Sequence, residues 1–284
     1  MPVKVLLIAG LGRSGSTLLG ALLGQLDGFF YAGELRSAAR AFDGGSSCGC
    51  GEPLRECPIW TRILEHAFGG IDGASTLLHN DASSRALGIL WRRQPGSAPE
   101  AAAYEAVLRA VVETTRSRVV VDSSKWPGYA YFLQQLPDVE LSVLHLIRDP
   151  RGVAHSRRKP NAWGGPKGLT PARSALQWDI WNPVLEWVCR RGRYLRLRYE
   201  DFVAEPEDSL RRVVALVGED PAALPFTAAR EARLVATHSV AGNRSRFRTG
   251  AVPIALDDEW RTAGASNRLV AALTLPARRR YGYR

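Results

Sequence analysis

A glycine-rich segment near the start of the chain has the spacing of a phosphate-binding loop. Its outer glycines, Gly10 and Gly15, enclose four residues and are followed by Ser16 and Thr17. Such a loop points consecutive backbone N–H groups inward, and the helix behind it presents its positive N-terminus to an anion. Ser16 stands where nucleoside triphosphatases carry the lysine that reaches the β- and γ-phosphates, so an ordinary ATPase or GTPase is not expected. The predicted anion-binding residues of this loop are Gly12, Arg13, Ser14, Gly15, Ser16 and Thr17.

A second candidate for anion binding is an arginine at the end of another apolar run. Arg148 follows the run 141–147, and Ser156 comes eight residues later in a segment that Pro150 opens as a helix. The planar guanidinium of arginine is well suited to phosphate and sulfate groups. The spacing therefore predicts that Arg148 and Ser156 bind an anion together.

These residues need a sheet that brings them to one place. Apolar runs at 3–9, 29–35, 118–122, 141–147 and 194–199 alternate with helical patterns, which predicts a parallel sheet in a three-layer α/β/α fold. Because ligands bind outside the carboxyl ends of parallel strands, the glycine loop and Arg148 should share one crevice. No linker divides the chain, so residues 1–284 are predicted to form one domain, with a helical cap or substrate region near 58–115 and 160–192.

The charge balance is strongly basic, with 34 arginines, 4 lysines and a formal net charge of +10. Most of these arginines are interpreted as solvated surface residues, and they are dispersed along the chain rather than gathered in one arm. This pattern favours an anionic ligand in a cleft over a nucleic-acid partner. The sequence has no run of 18 apolar residues that would predict a membrane span, and the expected location is the cytoplasm.

Four segments together resemble the sulfotransferases that use 3′-phosphoadenosine 5′-phosphosulfate (PAPS). The run Arg13-Ser-Gly-Ser-Thr17 is similar to the family's 5′-phosphosulfate loop, and the pair Arg148 and Ser156 is similar to the residues that grip the donor's 3′-phosphate. The resemblance implies a P-loop NTPase-like fold, PAPS as the donor and 3′-phosphoadenosine 5′-phosphate (PAP) as the product. It also implies donor contacts by Tyr199 and by a closing loop at 242–250, which has Thr249 where cytosolic members carry lysine. The donor-binding candidates in this loop are Gly242, Asn243, Arg248 and Gly250.

The resemblance also suggests candidates for catalysis. Glu34 lies in a Gly-Glu-Leu segment similar to the place where several carbohydrate sulfotransferases keep a glutamate base, and a salt-bridged structural glutamate is the alternative. Asp122, Ser124 and Lys125 end another predicted strand, where cytosolic members carry a histidine base that this chain lacks. Lys125 would then contact the sulfuryl oxygens. Both segments look closer to bacterial and carbohydrate-type members, and no metal is expected because arginines and a helix N-terminus supply the positive charge.

Three of the four cysteines lie within ten residues of one another. Cys48, Cys50 and Cys57 are interpreted as a thiol-lined structural loop, while a disulfide or redox-sensitive pair and a metal site stay open. The next histidine along the chain, His66, follows Cys57 by nine residues, outside the usual zinc-finger spacing. Cys189 stands alone in a predicted helix.

Two other functions compete with sulfuryl transfer. In a small-molecule kinase that uses ATP and Mg²⁺, Asp122 would hold the metal ion. A non-catalytic polyanion-binding module would use the charge of +10. The missing lysine at position 16 and the pair Arg148 and Ser156 favour transfer of a sulfuryl group to a hydroxyl of a small molecule, sugar, lipid or secondary metabolite.

Overall fold

A five-stranded parallel sheet lies at the centre of the computed structural model, which describes residues 1–70, 72, 98–159, 169–220, 222–228, 230–262 and 264–284. The strand order is β2-β3-β1-β4-β5, and every neighbouring pair is parallel, as predicted. The strands are β1 Val3–Ala9, β2 Phe29–Gly33, β3 Val119–Lys125, β4 Val139–Ile147 and β5 Arg193–Arg198.

The helices cover both faces of the sheet. They are α1 Ser16–Leu23, α2 Ala38–Asp43, α3 Pro58–Phe68, α4 Ala98–Thr115, α5 Pro127–Leu133, α6 Pro150–Arg158, α7 Pro171–Cys189, α8 Tyr199–Ala204, α9 Pro206–Leu216, α10 Gly264–Leu273 and α11 Leu275–Arg280. Helices α3, α4 and α5 pack on one face, and α1, α8 and α9 pack on the other. This is the three-layer α/β/α arrangement predicted from the alternation of strands and helices.

The sequence of β1 shows why the sheet is covered twice. Side chains alternate across a strand, so a run that is apolar at every position must be buried on both faces. Val5 and Leu7 enter the core with α3 and α4, whereas Leu6 and Ile8 enter the core with α1 and α9. All four side chains are at most 1% exposed.

Two features differ from the sequence prediction or lie outside it. A small antiparallel sheet of β6 Phe226–Ala228, β7 Glu231–Leu234 and β8 Gly250–Pro253 was not predicted, because strands of three and four residues carry too little pattern. The predicted cap near 58–115 and 160–192 falls partly on residues 71, 73–97 and 160–168, which lie outside the described residues.

The described part of the predicted cap contributes to the main core. Ile63 and Leu64 of α3 and Val107 and Val111 of α4 are buried in the same apolar cluster as Val120 of β3. These helices therefore form a layer on the sheet. Within the described ranges, none of the helices has the length and apolarity needed to cross a bilayer.

Candidate functional site

One cleft of about 1010 Å³ lies at the carboxyl edge of the sheet and receives residues from the ends of all five strands. This is the edge at which parallel α/β sheets bind ligands. The contributions, in spatial order of the strands, are Glu34 after β2, Lys125 at the end of β3, the glycine loop after β1, Arg148 after β4 and Tyr199 after β5. Strand order thus brings most of the predicted donor residues, together with Glu34 and Lys125, to one cleft.

The glycine loop bends sharply at residues with positive φ. Gly15 has φ +89°, and a Cβ there would lie 2.7 Å from Cδ2 of Tyr199, so only glycine fits. Arg13 also has a positive φ of 79°, a strained conformation for a residue with a side chain. Ser16 and Thr17 line the cleft at the start of α1, whereas the hydroxyl of Ser14 donates to the Leu11 carbonyl at 2.8 Å and supports the loop itself.

Arg13, Arg148 and Ser156 form one connected group. Arg13 Nε donates to Ser156 Oγ at 3.0 Å, and Arg148 Nη1 donates to the Arg13 carbonyl at 3.0 Å. Arg148 Nη2 reaches Asp257, with its carbonyl at 2.7 Å and its carboxylate at 3.0 Å. The Arg148 guanidinium also lies 4.7 Å from the centre of the Tyr199 ring and is only 4% exposed as a residue.

This group concentrates positive charge in a partly buried place. Burial lowers the pKa of Arg13, and the charge of Arg148 lowers it further. Burial lowers the pKa of Arg157 to about 10, with Arg13 adding to the effect. Arg148 Nε is buried and has no hydrogen-bond partner among the described residues. Such a cluster favours an anion, which would pair the charges and accept the free N–H.

A loop from the C-terminal part of the chain forms the facing wall of the cleft. Gly242, Asn243 and Arg248 line the cleft, while Gly250, with φ +83°, begins β8 and is exposed. Arg246, which sequence reasoning missed, is buried and donates to the Gly242 carbonyl at 3.3 Å and to the Ser47 carbonyl at 2.7 Å. Arg246 therefore anchors the loop through its hydrogen bonds, and Arg248 lines the cleft.

Glu34 and Lys125 form an ion pair in the cleft. Lys125 Nζ donates to Glu34 Oε1 and, at 2.9 Å, to the Ser123 carbonyl. Lys125 has a φ of 70°, which turns its backbone sharply where β3 ends. A Cβ placed on Gly242 would lie 3.7 Å from both Glu34 Oε1 and Thr17 Oγ1, so the carboxylate and the loop hydroxyl face the same space.

Asp122 and Ser124 lie beneath the cleft instead of lining it. Asp122 is fully buried and accepts hydrogen bonds from Ser124 N at 2.8 Å, from Ser124 Oγ and from Tyr129 Oη at 2.7 Å. Ser124 Oγ also accepts from Arg36 N at 3.0 Å. Burial raises the pKa of Asp122 to about 6, although these hydrogen bonds oppose the shift. Of the four predicted catalytic residues, the structure brings Glu34 and Lys125 to the cleft and leaves Asp122 and Ser124 in the floor.

An aromatic pair beside Lys125 was not among the predicted site residues. The rings of Trp126 and Trp181 line the cleft with their centres 4.5 Å apart. The three tryptophans of α7 lie in three different environments. Trp178 is buried, Trp181 faces the cleft, and Trp187 is 54% exposed.

The chain is similar to known proteins in sequence and in fold. A family model described as the sulfotransferase family matches residues 6–222. The nodulation protein NoeE of Sinorhizobium fredii (strain NBRC 101917 / NGR234) is 27% identical over 229 residues, which cover 72% of this chain and 52% of NoeE. The chain thus spans about half the length of this curated relative.

Two solved structures have a similar fold. The sulfotransferase domain from the Synechococcus PCC 7002 olefin synthase has a TM-score of 0.55 and 20% identity, with 96% of this chain and 94% of that chain covered. The sulfotransferase domain from the curacin biosynthetic pathway has a TM-score of 0.51 and 19% identity, with 96% and 97% covered. The fold is the P-loop-like fold of sulfotransferase domains. Because the family model also matches well over half of the residues, the chain belongs to the sulfotransferase family.

Proposed function

We propose that this chain transfers a sulfuryl group from PAPS to a hydroxyl of a small-molecule acceptor. The observation that carries the proposal is the connected group of Arg13, Arg148 and Ser156, in which a glycine loop without the usual lysine is joined to a second arginine and a serine. A ligand with two anionic groups could bind the glycine loop with one of them and Arg148 and Ser156 with the other. PAPS carries a 5′-phosphosulfate and a 3′-phosphate, and therefore has an anionic group for each of these two positions.

The residues present fit the donor. The N–H groups of the glycine loop, with the hydroxyls of Ser16 and Thr17, would hold the 5′-phosphosulfate. The 3′-phosphate would pair with Arg148 and Ser156, where a buried guanidinium N–H has no partner among the described residues. Tyr199, Gly242, Asn243 and Arg248 would surround the adenosine and its 3′-phosphate.

Glu34 and Lys125 are the proposed catalytic residues. When bound, PAPS supplies an activated sulfuryl group with a phosphate leaving group. Lys125 Nζ would leave Glu34 to neutralise the sulfuryl oxygens, and Glu34 would accept the proton of the acceptor hydroxyl. The ion pair of the free protein holds both groups at the cleft, which suits this exchange of partners. We assign Asp122 and Ser124 to positioning, because their side chains bond to each other under the end of β3.

The competing functions are less well supported. In the kinase, Asp122 would bind Mg²⁺, but its carboxylate is fully buried and already accepts hydrogen bonds from Ser124 and Tyr129. In the polyanion-binding module the arginines would face solvent, whereas Arg148 is 4% exposed and faces a cleft. The wall of Trp126 and Trp181 favours an acceptor with an apolar or aromatic face beside its hydroxyl.

Ligand-dependent thermal stability tests the proposal. PAP should raise the Tm of the wild-type protein, and ATP with Mg²⁺ should raise it much less. Arg148→Ala should remove most of the effect of PAP, whereas Arg191→Ala, at an exposed arginine after α7, should keep it. Stabilisation by ATP with Mg²⁺ and none by PAP would rule the proposal out.

A further inference from the structure

Three thiols and one imidazole converge at a place outside the cleft. The Sγ atoms of Cys48, Cys50 and Cys57 and a ring nitrogen of His238 all lie within 4.8 Å of one another. Cys48 and Cys57 are fully buried, while Cys50 and His238 are partly buried. We propose that these four residues bind one Zn²⁺ ion as a structural site.

The separations between the ligand atoms suit tetrahedral coordination. Zn–S bonds of about 2.3 Å place two thiolates about 3.8 Å apart, and a Zn–N bond of about 2.0 Å places an imidazole nitrogen about 3.5 Å from each sulfur. The Cys50 and Cys57 sulfurs are 3.9 Å apart, and Cys57 Sγ lies 3.3 Å from His238 Nδ1. An ion at the centre of this group would therefore need only small movements of the side chains.

The donor set indicates which metal would bind and what it would do. Thiolates and imidazole suit Zn²⁺, while Mg²⁺ and Ca²⁺ prefer oxygen ligands. Four protein ligands complete a tetrahedral shell and leave no position for a substrate, which is typical of structural zinc rather than catalytic zinc. A disulfide would use only two of the three sulfurs and would not explain the position of His238.

The backbone brings the two segments together independently of the four side chains. Gly49 N donates to the Ser239 carbonyl at 2.9 Å, and a Cβ on Gly49 would lie 2.5 Å from the Thr237 carbonyl oxygen. Trp60 Nε1 donates to the His238 carbonyl. The cysteine loop turns tightly, with Cys48 N donating to the Glu52 carbonyl at 2.7 Å. The two segments are 181 residues apart between Cys57 and His238, which is why sequence spacing did not reveal the site.

The site would act on the wall of the cleft. From His238 the chain runs through Val240, whose N–H donates to the Ala32 carbonyl of β2 at 2.9 Å, to Gly242 and Asn243 in the cleft. Bound zinc would fix this segment against the loop 48–57 and beside Glu34. The effect on donor binding rests on the proposed function, whereas the metal site itself does not.

Metal analysis of the purified full chain, prepared without chelators and without nucleotide, tests the proposal. Elemental analysis should find about one zinc ion per chain. Cys57→Ser and His238→Ala should lose most of the zinc, and Cys189→Ser, which removes a buried thiol outside the group, should retain it. His238→Cys supplies a fourth thiolate and should also retain the metal.

Cobalt substitution of the wild-type protein tests the site without any variant, so it gives an answer even if the variants do not fold. Replacing zinc by Co²⁺ should give thiolate-to-cobalt charge-transfer bands and the intense visible bands of a tetrahedral site. Zinc far below one ion per chain, together with no such bands on adding Co²⁺ to the reduced protein, would overturn the proposal. A Cys50–Cys57 disulfide in the non-reduced peptide map of the freshly purified protein would overturn it as well. Neither result would bear on PAP binding, so the two proposals fail separately.

Discussion

Arg13 Nε donates a hydrogen bond to Ser156 Oγ over 3.0 Å, which ties the glycine loop after β1 to helix α6 after β4. These residues are 143 positions apart in the chain, yet the order β3-β1-β4 makes their strands neighbours. A second hydrogen bond, which Arg148 Nη1 donates to the Arg13 carbonyl at 3.0 Å, joins the loop to the end of β4. The two segments that are proposed to bind anions therefore line one cleft.

Ser156→Ala should weaken PAP binding. It removes the hydroxyl that accepts from Arg13 and that is proposed to contact the 3′-phosphate, and a hydrogen bond to a charged group contributes enough to predict a loss of about 10- to 100-fold in affinity. Titration calorimetry with PAP measures the change. Ser209→Ala, at a buried serine of α9 that does not line the cleft, is the matched control. Equal PAP affinity in the two variants would count against the assigned role of Ser156.

Glu34→Gln should slow transfer without weakening donor binding. The amide keeps the shape and can still accept from Lys125, but it cannot take the acceptor proton, so the rate should fall about 100- to 10,000-fold. Transfer from ³⁵S-labelled PAPS to an acceptor found in a panel of phenols and alcohols gives the rate. Glu186→Gln is the control, because Glu186 is also ion-paired and its side chain has the same 24% exposure. A near wild-type rate for Glu34→Gln would exclude Glu34 as the base.

Gly15→Ala should destabilise the free protein, whereas Gly12→Ala should not. The new methyl group at position 15 would meet Tyr199 at 2.7 Å on a backbone with φ +89°, while a Cβ at Gly12 meets nothing within 4 Å. The combined strain and overlap predict a loss of about 1–3 kcal/mol for Gly15→Ala. Denaturant unfolding without nucleotide measures both variants. Similar free energies of unfolding would contradict the close packing of Tyr199 on the loop.

Asp122 should make stability depend on pH. Burial raises its pKa from 3.8 to about 6, so between these values the folded chain holds a proton that the unfolded chain has released. The contribution of Asp122 to the free energy of unfolding therefore decreases as pH rises through this window, by about 3 kcal/mol in total. Asp122→Asn removes this proton.

Unfolding free energies of the wild type and Asp122→Asn, measured from pH 4 to pH 7, check the sign of this effect. The free energy of unfolding of the wild type, relative to that of Asp122→Asn, should decrease as pH rises. Tyr129→Phe removes a hydrogen bond that lowers the pKa of Asp122, so it should extend the window to higher pH. A constant difference between wild type and Asp122→Asn would show that the carboxyl has no raised pKa.

The sheet could be predicted because its strands are apolar on both faces. Short runs of this kind between helical patterns are typical of buried parallel strands. The run from Val3 to Ala9 and the run ending at Ile147 were found as strands for this reason. The sheet of β6, β7 and β8 was not predicted, since short strands with half-exposed residues have no clear period. Leu234 of β7 and Val252 of β8 line the cleft, which only the folded structure shows.

The parts of the site that could be predicted are local in sequence. The glycine loop and the spacing of Arg148 and Ser156 are visible without a structure, and the structure places them together. Asp257 was missed because only the fold brings a distant carboxylate to Arg148. Asp122, Ser123 and Ser124 are all buried at the end of β3, and only Lys125 of this segment lines the cleft. The sequence alone did not show at which residue the strand reaches the cleft.

Comparing PAP with adenosine 5′-monophosphate tests whether the cleft recognises a nucleotide by its 3′-phosphate. The two ligands differ only in that phosphate. Calorimetry on the wild type should show PAP binding about 10- to 100-fold more tightly, because the buried guanidinium of Arg148 and its neighbours pair with the additional charge. Arg148→Ala should remove most of this preference. Equal affinity of the wild-type protein for the two nucleotides would show that the cleft does not recognise the 3′-phosphate.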